Sequence, residues 1–167
     1  SWTPKNYDGG FRGSMTMAEA LEKSKNIPTI RVLQKVTIDS VIEVCRDAGF
    51  TSPIPKNYTM GLGSMSVTPI EITTAYCSFA NGGYKVKPVY IVKVEDKSGK
   101  VLYEDKSEKE KVFEPTDVSL IVRMMENVVI YGSGSSANIG INQAGKTGTT
   151  SDYTDAWFTG FTPELVT

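Results

Sequence analysis

The run Gly140-x-x-x-x-Gly145-Lys146-Thr147, continued by Gly148-Thr149-Thr150, constrains the fold of this chain most, because it fits two backbone arrangements that exclude each other. As a phosphate-cradling loop it requires a buried strand entering Gly140 and a helix opening just after Lys146, whose N-terminal N–H groups would hold the anion. As a strand it places Lys146, Gly148 and Thr150 on one face and Thr147 and Thr149 on the other. The flanks decide between them. Upstream, Gly132-Ser133-Gly134-Ser135-Ser136 reads as a flexible loop with little strand propensity; downstream, Gly148, Thr149, Thr150, Ser151, Tyr153 and Thr154 are poor helix formers. No Asp at the end of an apolar strand offers itself to Mg²⁺. The expectation is an edge strand that lines a cleft and returns through an aromatic strand over residues 155–161. Such an edge suits an extended peptide. Lysine supplies charge, threonine hydroxyls bind a carboxylate, Gly148 permits close approach, and free N–H and C=O groups pair with the ligand backbone.

Composition removes several alternatives. The 167 residues contain no histidine, so Ser-His-Asp and Cys-His mechanisms are excluded and the commonest zinc ligand is missing. Any general base is Lys, Asp, Glu or Tyr. Cys45 and Cys77 lie in apolar helical patterns without metal-ligand spacing and read as buried, unreactive thiols. No metal or cofactor is expected. A net charge of -1 with scattered basic residues carries no nucleic-acid footprint. The length suits one domain. No apolar run approaches the about 18 residues of a membrane span, and without an initiator Met or signal-peptide pattern the chain reads as cut from a longer protein.

Helical signals dominate the first half. Thr16-Met17-Ala18-Glu19 is a capping box opening a helix with Met17, Ala20 and Leu21 as its apolar stripe, ending near Lys23 or Ser24. Pro28 argues against helical geometry at Ile27 and for a new helix bearing Ile30, Leu33 and Val36 on one side. That leaves Ser24-Lys25-Asn26 at a helix-to-helix junction. A third helix over about residues 39–48 stops at Gly49, and a fourth opens at the capping box Thr68-Pro69-Ile70-Glu71 and ends at Gly82-Gly83. Residues 88–112 read as a peripheral charged hairpin, with Tyr90, Val92 and Val94 on one strand face and a turn at Lys97-Ser98-Gly99-Lys100. A fifth helix, about residues 116–129, carries Leu120, Ile121, Met124, Met125 and Val128 on one side.

Ser24-Lys25-Asn26 is a Ser-x-Asn triplet upstream of Lys146-Thr147-Gly148. With it stand Trp2-Thr3-Pro4-Lys5-Asn6-Tyr7-Asp8-Gly9, Ala20-Leu21-Glu22-Lys23-Ser24-Lys25-Asn26-Ile27-Pro28, Gly61-Leu62-Gly63, Val67-Thr68-Pro69, Phe79-Ala80-Asn81-Gly82-Gly83-Tyr84, Ala144-Gly145-Lys146-Thr147-Gly148-Thr149-Thr150 and Asp155-Ala156-Trp157-Phe158-Thr159-Gly160-Phe161. Together they resemble the transpeptidase domain of class A (bifunctional) penicillin-binding proteins over nearly all of residues 1–167, the hairpin excepted. The resemblance implies a mixed α+β fold of the penicillin-binding protein and β-lactamase kind, present in part as a helical subdomain plus part of an antiparallel sheet. It implies an extracytoplasmic bacterial enzyme, its parent membrane-anchored, that cross-links the D-Ala-D-Ala stem peptides of peptidoglycan through a serine acyl-enzyme and is trapped by β-lactam antibiotics. On that pattern Ser24 relays a proton to the leaving amine, and Asn26 binds the substrate amide. Lys146 supports the carboxylate and the Ser24 network, Thr147 and Thr149 hold the carboxylate, and Gly148 and Thr150 complete the substrate-binding strand.

The departure is the family's Ser-x-x-Lys nucleophile: no lysine in the chain has Ser or Thr three residues before it. The resemblance therefore implies an internal piece that supplies two walls of the site, begins after the first strands of the sheet, stops before its last, and requires the remainder of its own domain. A serine β-lactamase or β-lactam sensor shares both triplets, and a binding module without catalysis is the alternative from another class.

Overall fold

The computed structural model describes residues 3–150 and 154–167; Ser1, Trp2, Ser151, Asp152 and Tyr153 lie outside the described residues. Helix α1 (Met17–Glu22) is capped by Thr16, whose hydroxyl accepts from the Glu19 N–H at 3.1 Å. The reciprocal half of that box is not made, because the Glu19 carboxylate pairs with Lys23 one turn on. Helix α2 (Asn26–Val36) begins before Pro28 and includes Ile27, contrary to the sequence expectation. First-turn N–H groups have no intrahelical partner, so proline removes nothing there. The Ile27 N–H donates instead to Asn6 Oδ1 at 3.1 Å.

Helix α3 (Ile38–Asp47) runs from a Thr37 cap to Gly49, which takes φ +104°. Helix α4 (Pro69–Ala80) has the full capping box. Glu71 accepts from the Thr68 N–H at 2.9 Å and, with its other oxygen, from Thr51 N at 2.9 Å and Ser52 N at 2.8 Å, which ties the 51–52 loop to the helix start. These donors hold the Glu71 carboxyl well below the usual carboxylate range. Helix α5 (Pro115–Ile130) buries Val118, Met125, Val128 and Val129. Leu120 is exposed instead of joining this stripe, since five residues on it lies about 140° round the helix from Met125. Met17 and Val36 are exposed as well, so each apolar stripe is narrower than its periodicity implied.

The core has two centres. Ala48, Phe50 and Ala75 gather Cys45, Ile72 and Phe113, while Met125, Ala144 and Phe161 gather Leu21, Tyr76, Phe79 and Ile121. Tyr76 stands edge-on to Phe79 and Phe161, and burial pushes its hydroxyl up to about 12. Cys45 and Cys77 are free and half-buried, their thiols raised by desolvation, in keeping with inert packing.

Among the described residues the strands form two-stranded antiparallel sheets. Strand β1 (Tyr84–Lys85) pairs with β4 (Glu110–Lys111), and β2 (Lys93–Glu95) with β3 (Val101–Glu104). The residues of the β2–β3 hairpin strands are exposed, and Asp96 organises its turn by accepting from Ser98 N and Lys100 N. Its first strand is shorter than its β-branched residues suggest: register pairing starts at Lys93, with one further bond from Asp105 N to Val92 O at 2.8 Å, and Tyr90 and Val92 are exposed. Propensity alone does not make a strand without a partner surface. Strand β5 (Ala144–Thr149) pairs with β6 (Ala156–Phe161), bringing Lys146 opposite Thr159 and Gly148 opposite Trp157. Residues 165–167 add to the other edge of β6 through reciprocal Gly160–Thr167 bonds of 2.8 and 2.9 Å and a Phe161–Val166 bridge.

Candidate active site

Ser24 sits where α1 has ended and α2 has not begun, at φ 50°, a left-handed conformation rare for a residue with a side chain. Its N–H is held by Leu21 O at 3.1 Å and that of Lys25 by Ala20 O at 2.8 Å. Lys25, 8% exposed, turns inward to pair with Asp8, and this ammonium holds the Asp8 carboxyl below its ordinary value. Asn26 donates from Nδ2 to Lys5 O at 2.8 Å, and the buried Asn6 fixes its own loop by donating to Gly10 O at 2.8 Å. Residues 5–10 are therefore a strap that holds Lys25, Asn26 and Ile27 beside Ser24. No local pattern signals it, because its partners lie about twenty residues away.

The opposite wall is β5. Gly145 has no room for a side chain, since a Cβ there would lie 2.5 Å from the Phe158 ring, so β5 and β6 close tightly behind Lys146. Lys146 leaves the strand and curls along its edge. Its Nζ donates to Ser24 Oγ at 2.7 Å, to Thr147 O at 3.0 Å and to Thr147 Oγ1 at 3.3 Å. Strict alternation would keep Lys146 and Thr147 on opposite faces; the length of the lysine stem brings its head back to the threonine. Burial lowers the Lys146 pKa from its ordinary value. Ser24 and Lys146 are 122 residues apart in sequence, and the fold joins them by a charge-assisted hydrogen bond.

A further hydroxyl, absent from the sequence reading, belongs to this cluster. Ser133 Oγ lies 2.9 Å from Thr147 Oγ1, and Ser133 N donates to Glu22 O at 3.0 Å. The Gly132–Gly134 turn is thus an ordered clamp, not the flexible loop its composition suggests. The signal was present in the glycines: a Cβ on Gly132 would stand 2.2 Å from Glu22 O.

The remaining expected residues fall differently. Gly148 is exposed and a Cβ on it would meet nothing within 4 Å, which leaves open space over the strand where a ligand backbone could lie. Thr149 is exposed at the strand end. Thr150 faces the turn: its N–H donates to Asp155 O at 3.1 Å and its hydroxyl accepts from Asp155 N at 3.0 Å, so it closes the hairpin and does not join the Lys146 cluster. Among the described residues no group of three or more His, Cys, Asp and Glu is placed to hold a metal ion.

The family model of the penicillin binding protein transpeptidase domain matches residues 1–165. The chain belongs to that family. Penicillin-binding protein 1A of Aquifex aeolicus (strain VF5) is 40% identical over 168 residues, covering 99% of this chain and 23% of that protein. The same-named protein of Rickettsia typhi is 37% identical over 190 residues, again 99% of this chain and 24% of the relative. Penicillin-binding protein 1A from Haemophilus influenzae matches in structure with a TM-score of 0.92 at 27% identity, over 99% of this chain and 31% of that one. PonA1 of Mycobacterium tuberculosis, solved in complex with penicillin V, matches at a TM-score of 0.84 and 25% identity, over 97% and 48%. The mixed helix-and-sheet fold is therefore that of penicillin-binding protein transpeptidase domains, and the chain spans about a quarter of the length of its sequence relatives. Among the described residues no helix is long and apolar enough to cross a membrane.

Proposed function

We propose that this chain supplies the Ser24–Asn26 and Lys146–Thr149 walls of a serine-type D,D-transpeptidase that cross-links peptidoglycan stem peptides at the outer face of a bacterial membrane, in a parent protein anchored there. The observation that carries this reading is the 2.7 Å bond from Lys146 Nζ to Ser24 Oγ. In acyl transfer the nucleophile oxygen bonds the carbonyl carbon of D-Ala-D-Ala, the peptide C–N bond breaks, and the departing nitrogen must gain a proton. Because Ser24 Oγ accepts from an ammonium, its own proton is free to pass to that nitrogen, and Ser24 is replenished by the lysine of the Ser-x-x-Lys segment, which this chain does not contain. Thr149 donates to the terminal carboxylate beside the Lys146 charge, and Thr147 lines the same pocket, its hydroxyl linking Lys146 to Ser133. Asn26 keeps a second amide N–H beyond the one spent on Lys5, available to the substrate carbonyl. The Thr149 N–H completes the oxyanion site. β-Lactams occupy the same groups in place of the dipeptide.

The chemistry requires no histidine, metal or cofactor. The experiment is labelling with a fluorescent penicillin. The 167-residue chain alone should form no covalent adduct, whereas the complete protein carrying it should label, and Ser24→Ala or Lys146→Ala should slow that labelling by about 100-fold or more. Labelling of the chain alone would overturn the assignment of the nucleophile to the rest of the domain. Rapid turnover of the label would favour a β-lactamase.

A further inference from the structure

The direction of the hydrogen bonds around Lys146 assigns a role to Ser133. An ammonium has three N–H donors and no acceptor, and Lys146 directs its donors at Ser24 Oγ, Thr147 O and Thr147 Oγ1. Thr147 Oγ1, accepting from a cation, is polarised towards donating its own proton, and Ser133 Oγ at 2.9 Å is there to receive it. Ser133 Oγ is then left with a proton that nothing in the cluster accepts. The side chain is exposed, while its backbone is fixed by the 3.0 Å bond to Glu22 O. We infer that Ser133 is a specificity-determining residue of the site: it is the outermost donor in a chain running Lys146, Thr147, Ser133, and it hydrogen-bonds the carboxylate of the substrate or of a β-lactam.

This inference rests on the reading of Ser24 and Lys146 as a transpeptidase site, and it predicts a selectivity that packing alone would not produce. A donor for an anion matters for a ligand that carries the anion and little for the same ligand neutralised. The test uses the complete protein with two probes, benzylpenicillin and its methyl ester, and measures second-order acylation rates. Ser133→Ala retains the backbone N–H bonded to Glu22 and should fold. It should slow acylation by benzylpenicillin by about tenfold to 150-fold, the usual size for loss of a hydrogen bond to a charged group, and change the ester rate by less than about twofold. Ser133→Thr restores the hydroxyl and should recover the benzylpenicillin rate. Equal slowing of both probes, or no slowing of either, would overturn the inference. Ser24→Ala and Lys146→Ala are run alongside: if they leave both rates intact, the transpeptidase reading itself fails, whatever Ser133 does.

Discussion

Gly132→Ala tests whether the two walls must touch for the site to exist. The new Cβ would stand 2.2 Å from Glu22 O, 2.9 Å from Glu22 C and 2.9 Å from Glu22 Cγ, and ordinary contact begins at 3.4 Å. The side-chain Cγ can swing away; the carbonyl cannot, because α1 holds it. The end of α5 must therefore draw back from the end of α1 by about 1 Å, an overpacking distortion of the kind that costs about 1–3 kcal/mol. For a domain of this size that corresponds to a fall in Tm of roughly 2–12 °C. The separation also stretches Ser133 N–Glu22 O from 3.0 Å and, since Ser24 follows Glu22 and Lys146 sits on β5, which packs against α5, Lys146 Nζ–Ser24 Oγ from 2.7 Å. Both would leave hydrogen-bond range. Acylation of the complete protein by a fluorescent penicillin should fall about tenfold or more. Thermal unfolding and acylation kinetics read the two effects together. An unchanged Tm with acylation within about twofold of the parent would show that the walls are not braced at this point, and the reasoning would be wrong.

The shifted groups set three pH dependences. Glu71 has a depressed folded-state pKa, so its contribution to stability is fully present above the unfolded value of about 4.3 and fades as pH falls through the folded one; Glu71→Gln should flatten the acid limb of a urea-midpoint profile below about pH 5 and leave the profile above it unchanged in slope. Lys146 is a cation whose folded pKa is lowered, so the folded state binds fewer protons than the unfolded one between the two values, and stability should rise with pH across that window; Lys146→Met should abolish the rise. Acylation needs the protonated form and should decline with an apparent pKa below about 10.4, and a decline only above that value would contradict the burial of this lysine.

What the sequence disclosed depended on how far the partners lay along the chain. The Thr68 box, the Gly49 stop and the strand character of residues 144–149 were legible because their causes are local: a hydroxyl and a carboxylate three residues apart, a positive φ, a lack of helix formers. The Ser24 junction was legible for the same reason, although Pro28 misplaced the start of α2 by allowing what it was expected to forbid. The strap over residues 5–10 and the Ser133 clamp were not, because Asn6, Asp8, Gly132 and Ser133 have meaning only beside Ile27, Lys25 and Glu22, which the fold delivers. Residues 88–92 erred in the opposite sense: their β-branched composition predicts pairing, and register pairing starts only at Lys93. The open space over Gly148, where a Cβ would meet nothing within 4 Å, and the bond of the Thr150 hydroxyl with Asp155 N are set by the hairpin geometry, which the motif itself does not spell out.

The central claim is that Ser24 and Lys146 act as one unit. A double-mutant cycle on acylation in the complete protein measures it directly, with Ser24→Ala and Lys146→Ala made singly and together. If the bond between them is the working element, the double variant should be no slower than the slower single variant, because the second substitution removes an interaction already lost. Losses that multiply independently would contradict the account.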